Sequence, residues 1–326
     1  MAEEVWMLQT KKADFKQIGA RFRIDPVTAR IIRNRGIEGE AAIDRYLNGT
    51  LDDLYDPMLL KDMECAVSIL CEAVDTGKKI RIVGDYDIDG VCSTYILLQA
   101  FERLGSDVDF EIPDRIKDGY GINESIIEQA HADGVEVILT CDNGISAFHQ
   151  VELAKKYGMT VVITDHHEVP LDGEKEKIPP ADAVIDPKQA DCPYPFPEIC
   201  GAVVAYKLVQ VLYARRGVPQ MEWLDLLEFA AIATVGDVMK LQDENRILVK
   251  YGLKKMAQTK NLGLRRLAEK NNLDLGAITA YHIGFVIGPC LNAGGRLKTA
   301  KEALALLRAQ SEEEAERLAE ELKELN

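Results

Sequence analysis

Residues 80–90 limit what this chain can fold into more than any other stretch. An apolar run over 80–83 stops at Gly84, and three carboxylates follow at alternate positions. These carboxylates are Asp85, Asp87 and Asp89. The pattern predicts a buried strand that ends in a turn. Like charges so close together repel one another, and a divalent cation held among them would offset that repulsion.

Other interpretations of the same loop are open at this point. D-x-D-x-D-G also begins a calcium-binding EF-hand loop, which needs a glutamate at its twelfth position. Counted from Asp85, that position is Ile96, and the segment before the motif is typical of a strand rather than a helix. Residues 87–91 also resemble the nucleophile motif of haloacid-dehalogenase-like phosphatases, and a solvated acidic turn needs no ligand at all.

The composition narrows the class of protein. At 326 residues, with 47% apolar and 29% charged, the chain is long enough for about two domains and a large core. No apolar run approaches the roughly 20 residues that span a bilayer, and the N-terminus has no secretory signal, so we expect a cytoplasmic protein with no membrane partner. The seven cysteines form no C-x-x-C pair, which indicates reduced thiols rather than a disulfide frame or a zinc site.

The formal net charge of −15 argues against non-specific binding of nucleic acid over the whole surface. Part of this charge is local, since residues 311–326 hold seven glutamates against Arg317 and Lys323. A phosphate ligand would therefore need a focused site with a bound metal and a few basic residues.

Strands and helices are predicted to alternate between residues 61 and 185. Patterns typical of strands cover 79–83, 107–112, 135–140, 160–164 and 182–185, and helical patterns cover 61–78, 91–104, 123–132 and 146–157. This alternation predicts an α/β fold, a parallel sheet with helices on both faces. We expect an N-terminal helical cap over 1–75, a catalytic α/β domain over 76–240, and a helical subdomain over 241–326 whose truncated connector helix leads to a second domain outside the chain.

Polar residues fall at the carboxyl ends of the predicted strands. These ends lead into the 85–89 loop, Asp142, the triplet Asp165-His166-His167 and Asp186. In an open α/β sheet, that edge is where ligands bind. A single aspartate at a strand end is often a helix cap, but the coincidence at four strand ends indicates a shared site.

Two stretches nearer the C-terminus also carry candidate residues. A buried helix is expected over 222–234, shortly before Asp237, and the basic residues scattered over 246–270 form either a solvated helix face or a path for a phosphate backbone. The glycines of 288–297 would let the backbone approach a ligand closely, with Arg296 as a bidentate phosphate contact. The alternative is a tight turn with an exposed arginine.

The donor atoms at the strand ends favour particular metals. Carboxylates with one or two imidazoles suit manganese or magnesium better than zinc. Two such ions about 3.5–4 Å apart could share a bridging carboxylate, activate water and stabilise the charge on a phosphoryl group under attack. We therefore expect two divalent metal ions, Mn²⁺ or Mg²⁺.

Five motifs taken together resemble a known family. They are Asp85-Tyr86-Asp87-Ile88-Asp89-Gly90, Asp142-Asn143-Gly144, Asp165-His166-His167, Gly236-Asp237-Val238-Met239 and the segment 288–297. In this order they are similar to the motifs of the DHH phosphoesterase superfamily and, within it, of the bacterial RecJ family of single-strand-specific 5′→3′ exonucleases. The likeness runs along essentially the whole chain.

The resemblance implies a role for each site residue. The metal ligands would be Asp85, Asp87 and Asp142 for one ion and Asp89, Asp142, His166 and Asp237 for the other, with Asp142 bridging. His167 would contact the scissile phosphate, and Asp165 would orient the histidine pair. The substrate contacts would be Arg115 at the 5′ phosphate, with Asn292 and Arg296 on the strand.

The resemblance also implies a substrate and partners. Water would attack the phosphodiester at the 5′ end of single-stranded DNA and release 5′-mononucleotides during repair and recombination. A single-strand-binding protein and a helicase would be partners. Two departures stand out, since Cys290 occupies a usual arginine position and Gly294 a usual alanine position. The family also continues into a substrate-binding domain and an OB-fold that this chain does not include.

Two further functions stay open. One is a DHH phosphodiesterase for short oligonucleotides or cyclic dinucleotides, although the long N-terminal region and the helical 240–300 segment argue against it. The other is a non-catalytic DHH scaffold that binds replication or repair proteins. Such relatives lose metal ligands, whereas this chain keeps them. The haloacid-dehalogenase interpretation has no use for the adjacent histidines, and we set it aside.

Overall fold

The computed structural model describes residues 11–114, 119, 121–297 and 300–326, except the side chains of Arg296 and Leu297. Its strands are β1 (Ile80–Val83), β2 (Val108–Glu111), β3 (Val137–Cys141), β4 (Thr160–Thr164), β5 (Leu171–Asp172), β6 (Lys175–Glu176) and β7 (Ala183–Ile185). All but β5 and β6 form one parallel sheet in the order β2-β1-β3-β4-β7, and those two form a small antiparallel hairpin.

Helices make up most of the remaining chain. In order they are α1 (Phe15–Phe22), α2 (Pro26–Asn34), α3 (Glu40–Asn48), α4 (Met63–Thr76), α5 (Ile88–Arg103), α6 (Glu124–Ala132), α7 (Phe148–Lys156), α8 (Gly201–Arg215), α9 (Gln220–Leu224), α10 (Leu227–Gly236), α11 (Asp243–Met256), α12 (Leu262–Lys270), α13 (Ala280–His282), α14 (Gly288–Leu297), α15 (Lys301–Arg308) and α16 (Glu312–Leu325). A π-helical turn, Ile283–Ile287, joins α13 to α14, and 3₁₀ turns cover Leu51–Asp53, Pro57–Leu59 and Leu275–Ala277.

The parallel sheet is covered on both faces, as the sequence predicts. Alternate residues of each strand point to opposite sides, so Ile82 and Leu139 join one core while Val83 and Ile138 join another. Helices α4, α5 and α8 bury their apolar faces in the first core, and α6 and α7 bury theirs in the second. Strands β1, β3 and β4 are almost wholly buried, which is typical of a parallel sheet between two helical layers, whereas the edge strand β2 is half-buried.

The order of the strands fixes where a ligand can enter. The chain passes from β1 to β2 on one side and then returns to β3 on the other, so the direction of winding switches between β1 and β3. Such a switch point opens a crevice at the carboxyl edge of the sheet. Asp85 lies just beyond β1 and Asp142 just beyond β3, so both lie at this crevice.

The helices after residue 226 pack into the same core as α5 and α8. Leu227 of α10, Leu267 of α12, Leu291 of α14 and Leu318 of α16 all belong to it. Helices α1–α3 form a smaller core of their own around Ile32 and its neighbours. Among the residues that the structure describes, no helix is both long enough and apolar enough to cross a membrane.

The single buried helix predicted over 222–234 is wrong in its bounds. The structure has α9 and α10 there, separated by Asp225 and Leu226. Both of these residues keep right-handed backbone angles, so the apolar periodicity continues through the turn although the helix is interrupted. Asp225 at this turn forms an ion pair with Lys260 at 3.3 Å.

The glycine-rich segment 288–297 is the helix α14 rather than a loop or tight turn. A Cβ atom on Gly295 would lie 2.2 Å from the carbonyl oxygen of Tyr86. No side chain fits in that space. The close backbone approach expected of these glycines is therefore real at Gly295, but the partner is the carboxylate loop and not a ligand.

Several basic residues of 246–270 form ion pairs within the fold. Arg265 and Arg266 both pair with Glu312 at the start of α16, at 3.0 and 2.8 Å. Lys270 pairs with Glu316 at 3.0 Å and with Glu320 at 2.8 Å. These contacts favour the helix-face interpretation over a phosphate path.

A buried ion pair joins α8 to α11. Lys207 Nζ lies 3.0 Å from Glu244 Oε2, and the two side chains are 1% and 0% exposed. Lys207 also donates to the carbonyl oxygen of Tyr55 at 3.1 Å, and the Tyr194 hydroxyl donates to Glu244. Burial lowers the pKa of Lys207 although Glu244 opposes that effect. Removing one partner would leave the other as an uncompensated buried charge.

Lys207→Met is therefore expected to lower the free energy of unfolding by roughly 3–5 kcal/mol. The matched control is Lys78→Met, which removes the exposed pair with Glu72 and should cost less than about 1 kcal/mol. Urea unfolding followed by circular dichroism measures both. Equal effects for the two variants would contradict the importance of the buried pair.

Candidate metal centre

The loop after β1 presents its carboxylates because the backbone holds it in place. Asp87 caps α5 and accepts hydrogen bonds from the N–H groups of Asp89 and Gly90, at 2.9 and 3.0 Å. A Cβ atom on Gly90 would lie 2.4 Å from the carbonyl oxygen of Asp85, so only glycine fits there. Asp85 itself accepts from the N–H of Gly121 at 3.2 Å. The three carboxylates thus occupy fixed positions at the start of one helix.

Asp142 follows β3 in a left-handed backbone conformation, with φ of 61°. The next residue, Asn143, ties the neighbouring strand ends together, since its amide donates to the carbonyl oxygens of Val83 and Cys141 at 3.0 and 2.9 Å. Helix α8 begins directly against Asp142, where a Cβ atom on Gly201 would lie 2.7 Å from Asp142 Cβ. The side chain of Asp142 is 2% exposed.

Asp89 anchors the N-terminus of α8. Its two carboxylate oxygens accept hydrogen bonds from the N–H groups of Gly201 and Ala202, both at 2.7 Å. A carboxylate is favoured there because the first N–H groups of a helix have no partner within the helix and carry partial positive charge. Sequence reasoning missed this contact, and its only local signal is the glycine at position 201.

Asp165 positions the histidine pair. Its Oδ2 accepts from the N–H of Ile145 at 2.9 Å, and its Oδ1 lies 2.7 Å from His167 Nδ1. Burial would raise the pKa of Asp165, but the hydrogen bond and the charge of His167 outweigh burial and lower it. Burial likewise opposes protonation of His167, yet its bond to Asp165 raises the pKa of His167 to about 8.

His166 lies among the carboxylates of three different elements. Its Nε2 is 3.1 Å from Asp142 Oδ1, 3.4 Å from Asp89 Oδ2 and 3.8 Å from Asp237 Oδ2. Burial lowers the pKa of His166, which favours the neutral imidazole that metals bind. Its Nδ1 is buried and has no hydrogen-bond partner in the described part of the chain.

Asp237 reaches the site from the end of α10. That helix packs on the start of α5, since a Cβ atom on Gly236 would lie 2.6 Å from Ile88 Cγ2. The Asp237 side chain is 29% exposed, more than those of Asp89 and Asp142. It therefore forms the open side of the cluster.

Three sets of side chains have donor atoms within 4.8 Å of one another. The sets are Asp85, Asp87 and Asp142; Asp89, His166 and Asp237; and Asp142, His166 and His167. Asp142 belongs to the first and third sets, and His166 belongs to the second and third. Most donors are carboxylate oxygens with a neutral imidazole, which fits manganese or magnesium.

Burial and neighbouring charges raise the pKa of several carboxyl groups of the site. Burial, with the charge of Asp87 second, raises the pKa of Asp85 to about 7. Burial, followed by the charges of Asp89 and Asp87, raises the pKa of Asp237 to about 7, and similar causes raise the pKa of Asp142 well above its usual range. A bound cation would favour the ionised carboxylates and reverse these shifts.

The structure describes the remaining candidate residues to different extents. Arg115 lies outside the described residues, as does the side chain of Arg296, whose backbone is part of α14. Asn292 is half-buried on α14, and its Oδ1 has no hydrogen-bond partner among the described residues. Cys290 is fully buried. Asp186, expected at this edge, is buried beyond β7 and accepts from the N–H of Lys188 at 2.8 Å.

Two of the carboxylates should differ in their effect on stability. Asp89→Ala is expected to lower the free energy of unfolding by about 2–4 kcal/mol, because two buried N–H groups of α8 lose their acceptor. Asp237→Ala should change it by less than about 1 kcal/mol, since Asp237 is partly exposed. Urea unfolding in the presence of EDTA provides the comparison. The anchoring role is refuted if the two variants unfold alike.

Cation binding should release protons near neutral pH. The carboxyl groups have a folded-state pKa of about 7 at Asp85 and Asp237, against a usual value of 3.8, so the metal-free protein retains protons that a cation displaces. A raised pKa means that these groups add stability at low pH and that this contribution is lost as pH rises from about 4 through about 7. The stabilisation by Mn²⁺ should therefore grow between about pH 5.5 and about pH 8.

Calorimetric titration with Mn²⁺ in two buffers of different ionisation enthalpy measures the released protons. Thermal unfolding with Mn²⁺ or with EDTA at both pH values measures the stabilisation. Heats that do not depend on the buffer at about pH 6.5 would contradict the expected displacement of protons.

Comparison with known proteins places the chain in a family. Residues 79–234 match the model of the DHH family, N-terminal domain. The single-stranded-DNA-specific exonuclease RecJ of Bacillus subtilis (strain 168) is 38% identical over 322 residues, which cover 98% of this chain and 40% of that protein. The RecJ exonuclease of Escherichia coli (strain K12) is 36% identical over 314 residues, or 93% of this chain and 53% of that protein. The chain thus spans about half the length of the curated relatives it matches.

Solved structures agree with these matches. The crystal structure of an exonuclease RecJ bound to manganese superposes with a TM-score of 0.73 at 35% identity, over 82% of this chain and 66% of that one. RecJ from Thermus thermophilus in complex with Mn²⁺ gives a TM-score of 0.79 at 32% identity, over 95% of this chain and 43% of that one. Residues 79–234 are an N-terminal domain of the DHH family, and the sequence and fold of this chain match the RecJ exonucleases along nearly its whole length.

Proposed function

We propose that this chain is the catalytic part of a metal-dependent 5′→3′ exonuclease that acts on single-stranded DNA. The observation that carries the proposal is the set of three overlapping donor clusters at the switch point of the sheet, with Asp142 in two of them. Relatives named as single-stranded-DNA-specific exonucleases, and solved relatives with manganese or magnesium, support it. The products would be 5′-mononucleotides.

The first and second donor clusters supply most of the proposed ligands, and Asp142, whose Oδ1 lies 3.1 Å from His166 Nε2, would join the second ion as a bridge. One divalent ion would bind Asp85, Asp87 and Asp142, and a second would bind Asp89, Asp142, His166 and Asp237. Mn²⁺ and Mg²⁺ both suit this mixture of oxygens and imidazole. When bound, such ions lower the pKa of water and neutralise the charge that develops on the phosphate.

The protein would contribute orientation and a proton-bearing group at the phosphate. His167 holds its Nδ1 against Asp165, so the ring would meet the scissile phosphate through Nε2. The Asp165 bond fixes the ring plane, and its charge favours the imidazolium form that attracts an anion. Asp165 would thus act as a positioning residue for the contact made by His167.

Contacts farther along the strand would come from basic and amide side chains. Arg115 would hold the 5′ phosphate, and Asn292 and Arg296 would contact the following nucleotides from α14. Cys290, at a position where the family usually has arginine, is buried and lies 3.8 Å from the Asn271 amide nitrogen, so it offers no phosphate contact here. We also propose a cytoplasmic location and, as partners, a single-strand-binding protein and a helicase.

The first test is Mn²⁺-dependent release of mononucleotides from a 5′-phosphorylated single strand. The unsubstituted chain should release them. Asp142→Ala should reduce the rate by more than about 100-fold, because both ions lose a ligand, and Asp165→Asn should reduce it by about 10–100-fold, the usual effect of a residue that orients a ligand. Asp191→Ala, which removes an exposed pair with Lys61, is the control and should be unaffected.

A dinucleotide serves as the rival substrate in the same assay. Cleavage confined to the dinucleotide would contradict the exonuclease proposal and favour a phosphodiesterase for short substrates. Tight Mn²⁺ binding without cleavage of either substrate would contradict the proposal that this chain carries the activity by itself. Absence of Mn²⁺ binding would refute the ligand assignment.

A further inference from the structure

We propose that Lys188 is a phosphate-contacting residue of this site and that Glu168 holds it at the rim until a nucleic-acid strand displaces the glutamate. The inference rests on the proposed function and extends it to a residue that no sequence motif singles out. It assigns a cation to the side of the metal centre formed by β4 and β7.

The sheet places the two residues side by side. Strands β4 and β7 are parallel neighbours, with Thr164 opposite Ile185. The segments that follow these strands therefore leave the sheet at the same edge, the first through the histidine pair to Glu168 and the second through Asp186 to Lys188. The bond from the Lys188 N–H to Asp186 Oδ1 fixes the direction of the second segment.

The ion pair between Lys188 and Glu168 is one in which a phosphate group can replace the glutamate. Lys188 Nζ lies 2.9 Å from Glu168 Oε1, and the lysine side chain is 20% exposed while the glutamate side chain is 87% exposed. An ion pair with so exposed a partner stabilises the fold little, because water screens it. A phosphate group offers several strong acceptors in place of one exposed carboxylate.

A positive charge from Lys188 would offset part of the negative charge at the centre. The site gathers carboxylates in a protein of net charge −15, and a strand brings further negative charge. Glu168, whose carboxylate oxygen lies 2.9 Å from Lys188 Nζ, directly follows His167 in the chain, so the ammonium group lies next to the segment that carries the histidine pair. Lysine suits this task because its long side chain carries a compact charge that can follow a phosphate.

Salt dependence of strand binding tests the contact directly. The ligand is a 5′-phosphorylated strand with phosphorothioate linkages, which resist hydrolysis, and binding is followed by fluorescence anisotropy with Mn²⁺ from about 50 to about 200 mM salt. Each phosphate contact on a single strand adds about 0.7 to the slope of log K against log salt. Lys188→Ala should make the slope shallower by about that amount and weaken binding roughly tenfold, while Lys188→Arg should keep the slope.

Two further variants separate this role from a structural one. Glu168→Gln should leave the slope unchanged and tighten binding roughly two- to fivefold, because no ion pair has to break first. Lys155→Ala removes a lysine that pairs with Asp182 at 2.7 Å, at the amino edge of the sheet rather than the carboxyl edge. This variant should change neither the slope nor the affinity. Thermal unfolding of all four variants checks that the fold is intact.

Each other result overturns the inference. An unchanged slope in Lys188→Ala, with normal binding by the unsubstituted chain, refutes the phosphate contact and leaves the proposed function standing. Weaker binding that accompanies a lower melting temperature at an unchanged slope assigns Lys188 a structural role instead. If the unsubstituted chain neither binds nor cleaves the strand, the proposed function fails, and the inference fails with it.

Discussion

The rest of the structure depends on how the fold tolerates the repulsion among carboxylates buried at one edge of its sheet. Backbone N–H groups hold them, since Asp87 caps α5, Asp89 receives the first N–H groups of α8, and Asp165 accepts from Ile145. These hydrogen bonds fix the oxygens in place without neutralising their charge. Burial, and after it the charge of Asp87, raises the pKa of Asp85 to about 7, so the ionised carboxylate is disfavoured until a positive charge lies beside it.

A cation site of this kind is built by residues from the whole chain and not only from the sheet. The switch between β1 and β3 opens the crevice, but its walls come from helices far along the sequence. Asp237 lies at the end of α10. Gly201 lets α8 pack directly against Asp142, and Gly295 lets α14 pack against the carboxylate loop. Each approach leaves no room for a side chain on the glycine. A site built this way requires the helical second half to be folded before its ligands can converge.

The sequence predicts those parts of the site that are encoded locally. An apolar run followed by aspartate places Asp142 at a strand end, and adjacent histidines after a strand place His166 at the same edge. Contacts between distant elements have no such local signal. The anchoring of α8 by Asp89 depends on which helix packs there, and the glycines of α14 are equally compatible with a ligand or with a neighbouring backbone. The break at Asp225 has no local signal, because neither Asp225 nor Leu226 is a glycine or proline and both keep right-handed backbone angles.

Net charge is a poor guide to what such a site can attract. The acidic residues of α16 contribute to the formal net charge of −15. Among them, Glu312 and Glu316 form ion pairs with Arg265, Arg266 and Lys270 of α12. Their charge is compensated where it arises and, at physiological ionic strength, is screened beyond about 8 Å. The potential that a phosphate meets is set instead by groups at the carboxyl edge. There, bound cations and a few placed bases would outweigh the surface as a whole, which is how an acidic protein can bind a polyanion at a single point.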